Sequence, residues 1–90
     1  MTFGSELRRF RKAARLTQWD VAEHLGYATS QFISNIERDI AFPPLEHFEK
    51  LAKLLKVKPK VLVDLWYRAA LKGYLKELGK KRDEILKRAG

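Results

Sequence analysis

The stretch Thr17-Gln18-Trp19-Asp20-Val21-Ala22-Glu23-His24-Leu25-Gly26-Tyr27-Ala28-Thr29-Ser30-Gln31-Phe32-Ile33-Ser34-Asn35-Ile36-Glu37-Arg38 decides the fold. Thr17 offers a helix N-cap, and Asp20 three residues on approximates a capping box. Val21, Ala22 and Leu25 supply the apolar side of a short helix over about Gln18 to Leu25, which Gly26 can end by taking the left-handed conformation. After a turn through Tyr27 and Ala28, Thr29 or Ser30 can cap the next helix, whose apolar face is Phe32, Ile33 and Ile36, with Ile40 just beyond its end. At about 100° per residue the opposite face carries Gln31, Ser34 and Arg38, flanked by Ser30 and Asn35. That face is polar, rich in hydrogen-bonding groups, and has no core to meet. Ala22 is small where the two helices must cross closely.

Upstream, Phe3, Leu7, Phe10 and Ala14 recur at helical spacing and predict a helix over about Ser5 to Ala14, with Arg8, Arg9, Lys12 and Arg15 on its outer side. Downstream, Pro43 and Pro44 stop any helix running through Phe42, and Pro44 suits the first turn of a fourth helix whose missing N–H costs nothing there. Leu45, Phe48, Leu51, Ala52 and Leu55 give that helix its buried stripe. Lys58-Pro59 opens a fifth helix with Leu62, Leu65, Trp66 and Ala69 on one face. Continued past Pro59, the same helix gains a second apolar stripe of Val63, Tyr67, Ala70, Leu71, Tyr74 and Leu78. Gly79 is expected to interrupt it, leaving a tail from Lys80 to Arg88 with Ile85 and Leu86 on one side and positive charge on the other. No β-alternation, internal repeat or low-complexity stretch is present, so the predicted fold class is all-α.

Ninety residues fit one small domain with little room for an enclosed substrate cavity, which favours binding over catalysis. The chain has no cysteine, which removes disulfides, thiolate metal sites and thiol chemistry together and suits a reducing cytoplasm. His24 and His47 are the only histidines, lie on different helices and pair at no metal-ligand or triad spacing; both read as exposed structural side chains. The glycines form no phosphate loop, so neither metal nor cofactor is expected. Met1 to Phe10 lacks the apolar run of a secretory signal, and no apolar run reaches the roughly 20 residues that span a bilayer, so a soluble cytoplasmic protein is expected. The formal charge of +8 points to an anionic partner: nucleic acid first, with anionic membranes or acidic proteins as rivals. Ile85 and Leu86 give too little apolar area to anchor the tail to a membrane.

Leu16-Thr17-Gln18, Val21-Ala22, Leu25-Gly26 and Ile33-Ser34-Asn35-Ile36-Glu37-Arg38, with Pro43, Leu45, Glu46, Leu51-Ala52-Lys53, Leu55, Val57 and Leu62, resemble the Cro/CI (Xre, lambda repressor-like) family of helix-turn-helix regulators over roughly residues 4 to 65. The resemblance implies a compact five-helix bundle, followed here by a C-terminal helical extension, with the third helix entering the major groove and the second lying across it. It also implies an ion pair between Arg11 and Glu37. The sequence departs from the family pattern in three places. Gly26 to Glu37 is one residue longer than usual; Asp39 stands in place of glycine, where aspartate tolerates a left-handed backbone; and Pro44 stands in place of a capping serine, leaving Glu46 to meet the helix dipole.

These readings predict a sequence-specific double-stranded-DNA-binding transcriptional regulator, a repressor or autoregulator of a prokaryote or phage, with residues 1–62 as the DNA-binding domain and 63–90 as the extension. Gln31 resembles the family's base-reading glutamines, and Ser34, Asn35 and Ser30 join it as base-reading candidates. Thr17, Gln18, Thr29 and Arg38 are candidates for phosphate contact. The stripe of Val63, Tyr67, Leu71, Tyr74 and Leu78 has no place in a five-helix domain. It predicts a homodimer, against the alternatives of packing back on the same chain or holding a different protein, as in an antitoxin-like module that binds DNA secondarily.

Overall fold

The computed structural model describes residues 1–89. Five α-helices and one 3-10 turn follow in order: α1 Phe3–Ala13, α2 Gln18–His24, α3 Gln31–Glu37, the turn Leu45–His47, α4 Phe48–Leu55 and α5 Pro59–Ala89. The described residues contain no strand. Helix ends follow local chemistry. Thr2 and Thr17 each close a capping box, with Ser5 and Asp20 as the reciprocal partners. Arg15, Gly26, Asp39 and Lys56 adopt positive φ where α1, α2, α3 and α4 finish.

Leu7, Val21, Ala22, Ile33, Ile36, Leu51, Ala52 and Leu62 are shielded almost completely and form the centre of the core, one or more from each helix. Phe3 extends it, stacking on Phe48 at 6.2 Å and meeting Phe42 edge-on at 5.5 Å. Trp66 sets its edge against Phe48 at 6.1 Å and so fixes the first turns of α5 to α4. Burial of this apolar set is the main source of stability in a chain without cross-links.

Two local expectations are corrected. Leu45 does not join the α4 stripe: residues 45–47 wind as a 3-10 turn that leaves Leu45 61% exposed, because the chain leaves Pro44 in an extended conformation and reaches α-helical winding only at Phe48. Gly79 does not interrupt α5, which runs unbroken from Pro59 to Ala89. A single glycine inside a helix costs only about 1 kcal/mol relative to alanine, and the Leu, Lys and Glu residues around Gly79 are strong helix formers. The helix is about 46 Å long at 1.5 Å per residue, and it stretches the molecule to 54 × 26 × 22 Å.

Candidate nucleic-acid interface

The interface starts from how α3 is held. Ile33 and Ile36 are fully buried, so the helix cannot rotate without exposing them. Glu37, at its last turn, is buried and accepts hydrogen bonds from Arg11 Nε at 2.6 Å, Arg11 Nη2 at 3.0 Å and Gln18 Nε2 at 3.2 Å. The remaining arm of Arg11 donates from Nη1 to the Leu16 carbonyl at 2.8 Å. One carboxylate and one guanidinium thus join α1, the α1–α2 connection, α2 and α3, and no buried side-chain N or O among the described residues lacks a partner. A charged pair buried this deeply is tolerable only when its donors and acceptors are matched in this way.

A second clamp holds the end of α3 against the start of α1. Asp39 takes a left-handed φ of 61°, and its Oδ1 accepts from the Gly4 N–H at 2.9 Å. Its side chain therefore satisfies one of the unpaired N–H groups opening α1, which glycine at that position would not do. Gly4 allows the approach. A Cβ on it would stand 2.5 Å from the Ile36 carbonyl oxygen and 2.6 Å from that of Glu37.

With its inner face fixed, α3 presents Gln31, Asn35 and Arg38 outward as a hydrogen-bonded row. Gln31 Nε2 donates to Asn35 Oδ1 at 3.0 Å, and Arg38 Nη2 donates to the same oxygen at 2.8 Å. Gln31 and Arg38 are exposed, while Asn35 and Ser34 are half-buried between them. The row leaves Gln31 with one free N–H and a free carbonyl oxygen, the donor and acceptor that a two-point contact with an adenine edge requires.

The remaining candidates divide. Ser30 is the N-cap of α3 by position but makes no side-chain cap bond; the hydroxyl oxygen of Thr29 instead accepts from the Gln31 N–H at 3.3 Å. Thr17 spends its backbone N–H on Asp20 Oδ2 at 2.8 Å, and its hydroxyl accepts from the Asp20 N–H at 3.0 Å. Asp20 is thereby held below the usual carboxylate range, first by the Thr17 backbone N–H and then by its side chain. Gln18 is half-buried with its amide turned inward to Glu37, so it supports α3 as well as opening α2. Val63, Tyr67, Leu71, Tyr74 and Leu78 lie on α5, well apart from the α3 row in sequence, and are 41–62% exposed.

Three arrangements had weak or no local signal. Glu6 is buried and binds Arg9 at 2.7 Å, so Arg9, which also lies over the Phe10 ring at 4.7 Å, is not one of the free cations on α1. His47 is not simply exposed: its Nδ1 shares a hydrogen bond with the Tyr27 hydroxyl at 2.9 Å. Burial, followed by the nearby Glu46 charge, raises the Tyr27 hydroxyl above its ordinary pKa. The Gly4–Asp39 contact joins residues far apart in the chain and was announced only by aspartate standing at a left-handed position.

Among the described residues no group of three His, Cys, Asp or Glu side chains is placed to hold a metal ion. No described helix is long and apolar enough to cross a membrane. No curated protein matches the sequence. The family model described as a helix-turn-helix domain matches residues 2–66, the segment that builds the core and carries both clamps and the exposed α3 row. With more than two thirds of its length covered by that match, the chain belongs to the helix-turn-helix domain family.

Proposed function

We propose that this helix-turn-helix protein is a sequence-specific transcriptional regulator of the Cro/CI (Xre) kind, a repressor or autoregulator that reads duplex DNA in the cytoplasm as a homodimer. The observation that carries this reading is the exposed Gln31–Asn35–Arg38 row on a helix whose other side is locked by Ile33, Ile36 and Glu37. A rigid helix with amide and guanidinium groups aligned outward suits direct readout of base edges in the major groove. Gln31 is the principal base reader, with Ser34, Asn35 and Ser30 beside it. Arg38, at the end of the row, and Thr17, Gln18 and Thr29, near the starts of α2 and α3, serve the phosphate backbone. The protein acts by binding and needs no cofactor.

Selection of bound sequences from a random duplex library tests this reading, with enrichment of one two-fold symmetric site as the expected result. Gln31→Ala should lose about 1 to 3 kcal/mol on that site while non-specific binding holds, and Arg38→Ala should weaken both and lower the salt slope by about one. Absence of any enriched sequence would remove the proposal. Equal binding of the selected site by Gln31→Ala would move the reading face toward Ser34 and Asn35. The exposed apolar side of α5 supports a second reading, in which DNA binding is secondary and α5 holds a protein partner as antitoxin-like modules do.

A further inference from the structure

The family match ends at residue 66, but α5 continues for twenty-three residues to Ala89. Its two sides differ. Leu62, Leu65, Trp66 and Ala69 turn toward the core. At about 100° per residue, Tyr67, Leu71, Tyr74 and Leu78 centre roughly 150° away from that side, where the protein's own core cannot reach them. Along the core-facing side, apolar residues give way past Ala69 to Lys72, Lys76 and Lys80, so the helix has one basic and one apolar side where it projects. The apolar side has heptad spacing: Asp64, Leu71 and Leu78 occupy one set of positions and Tyr67, Tyr74 and Lys81 the other.

We propose that this side pairs with α5 of a second copy of the chain in an antiparallel seam over residues 64–81, an inference that rests on the homodimer proposed above. In this register Leu71 lies against Tyr74 of the second copy, Tyr67 against Leu78, and Asp64 against Lys81, each twice by symmetry. Every layer places a large side chain beside a smaller one or an acid beside a base. A parallel pairing in register places Asp64 on Asp64, Lys81 on Lys81, and each tyrosine on itself; like charges directly opposed oppose association. Asp64 already accepts from Lys60 at 2.6 Å but keeps a 45% exposed side chain, and Lys81 has no ion pair among the described residues, so both ends of the seam can make the new contact. A bilayer surface does not supply one charge of each sign at the two ends of the stripe.

The orientation is testable because the chain has no cysteine of its own. Sedimentation equilibrium on the full chain should show a dimer, with Asp64→Lys and Lys81→Asp each raising the dimer Kd about tenfold and D64K/K81D returning it to near wild type. Under mild oxidation Y67C/L78C should form a covalent dimer and L78C alone should not. Efficient cross-linking of L78C alone means a parallel seam and overturns the proposal. So do single charge reversals without effect in a dimeric protein, in which case the homodimer stands and only the register fails. A wild-type chain that stays monomeric at high micromolar concentration overturns both, while sequence selection reports DNA binding separately.

Discussion

Glu37 belongs to the core although it is charged, and its energetic role follows from its three donors. With the Arg11 and Glu37 side chains only 10% and 3% exposed, neither charge can fall back on water when the other is removed. Glu37→Gln should cost about 3 to 5 kcal/mol, a fall in Tm of well over about 10 °C for a domain this small. Thermal unfolding followed by circular dichroism reads it directly, and an unchanged Tm would mean that the pair contributes nothing. The partners lie twenty-six residues apart, a distance no helical period encodes, so the sequence signals their pairing only through its resemblance to the family. Gly4 gave no sequence signal for its role at all. Its missing side chain lets α1 approach the carbonyls of Ile36 and Glu37, so Gly4→Ala must push α1 away and weaken the Asp39 bond. Overpacking of this kind costs about 1 to 3 kcal/mol. Urea unfolding of Gly4→Ala should show a lower midpoint with an unchanged m-value.

At the scale of elements, legibility followed the density of local signals. The boundaries of α2 were readable because Thr17, Asp20 and Gly26 each act within three or four residues of themselves. The inner face of α3 was readable because a helix with Ile33 and Ile36 has one apolar side to bury. The start of α4 was not, since a proline that tolerates a first helical turn does not enforce one, and the chain spends Leu45 to His47 in a tighter winding first. Gly79 misled in the other direction. Glycine raises the cost of a helix without forbidding it, and the residues on both sides of Gly79 carry α5 across. That cost should be measurable: a Cβ at Gly79 meets no atom within 4 Å, so Gly79→Ala adds helix propensity and no clash. Hydrogen exchange of amides 80–89 should slow about fivefold for roughly 1 kcal/mol of added propensity. Exchange as fast as in the wild type would place the weak point of α5 elsewhere.

For the whole molecule, the proposed homodimer would make DNA binding depend on assembly through the α5 projection. The residues after Trp66 hold eight basic side chains against three acidic ones, so five of the eight net positive charges lie beyond the family match. The exposed apolar side of α5 lies on the same segment, and a change there leaves the buried core and both clamps of α3 untouched. Tyr67→Glu/Tyr74→Glu should therefore give a folded monomer by light scattering, with the Tm of the core little changed. Two linked reading heads gain an effective concentration that one head lacks, so affinity for the full symmetric site should fall by about 10²- to 10⁴-fold in the double variant. A half-site duplex offers only one head a place and should bind wild type and variant within about twofold at equal salt. The comparison separates assembly from recognition: under the proposed reading, damage to the α3 row should lower affinity on both duplexes, whereas loss of the proposed α5 contact should lower it on the full site alone. A double variant that remains dimeric, or that loses half-site and full-site binding equally, would show that α5 does not couple two reading heads.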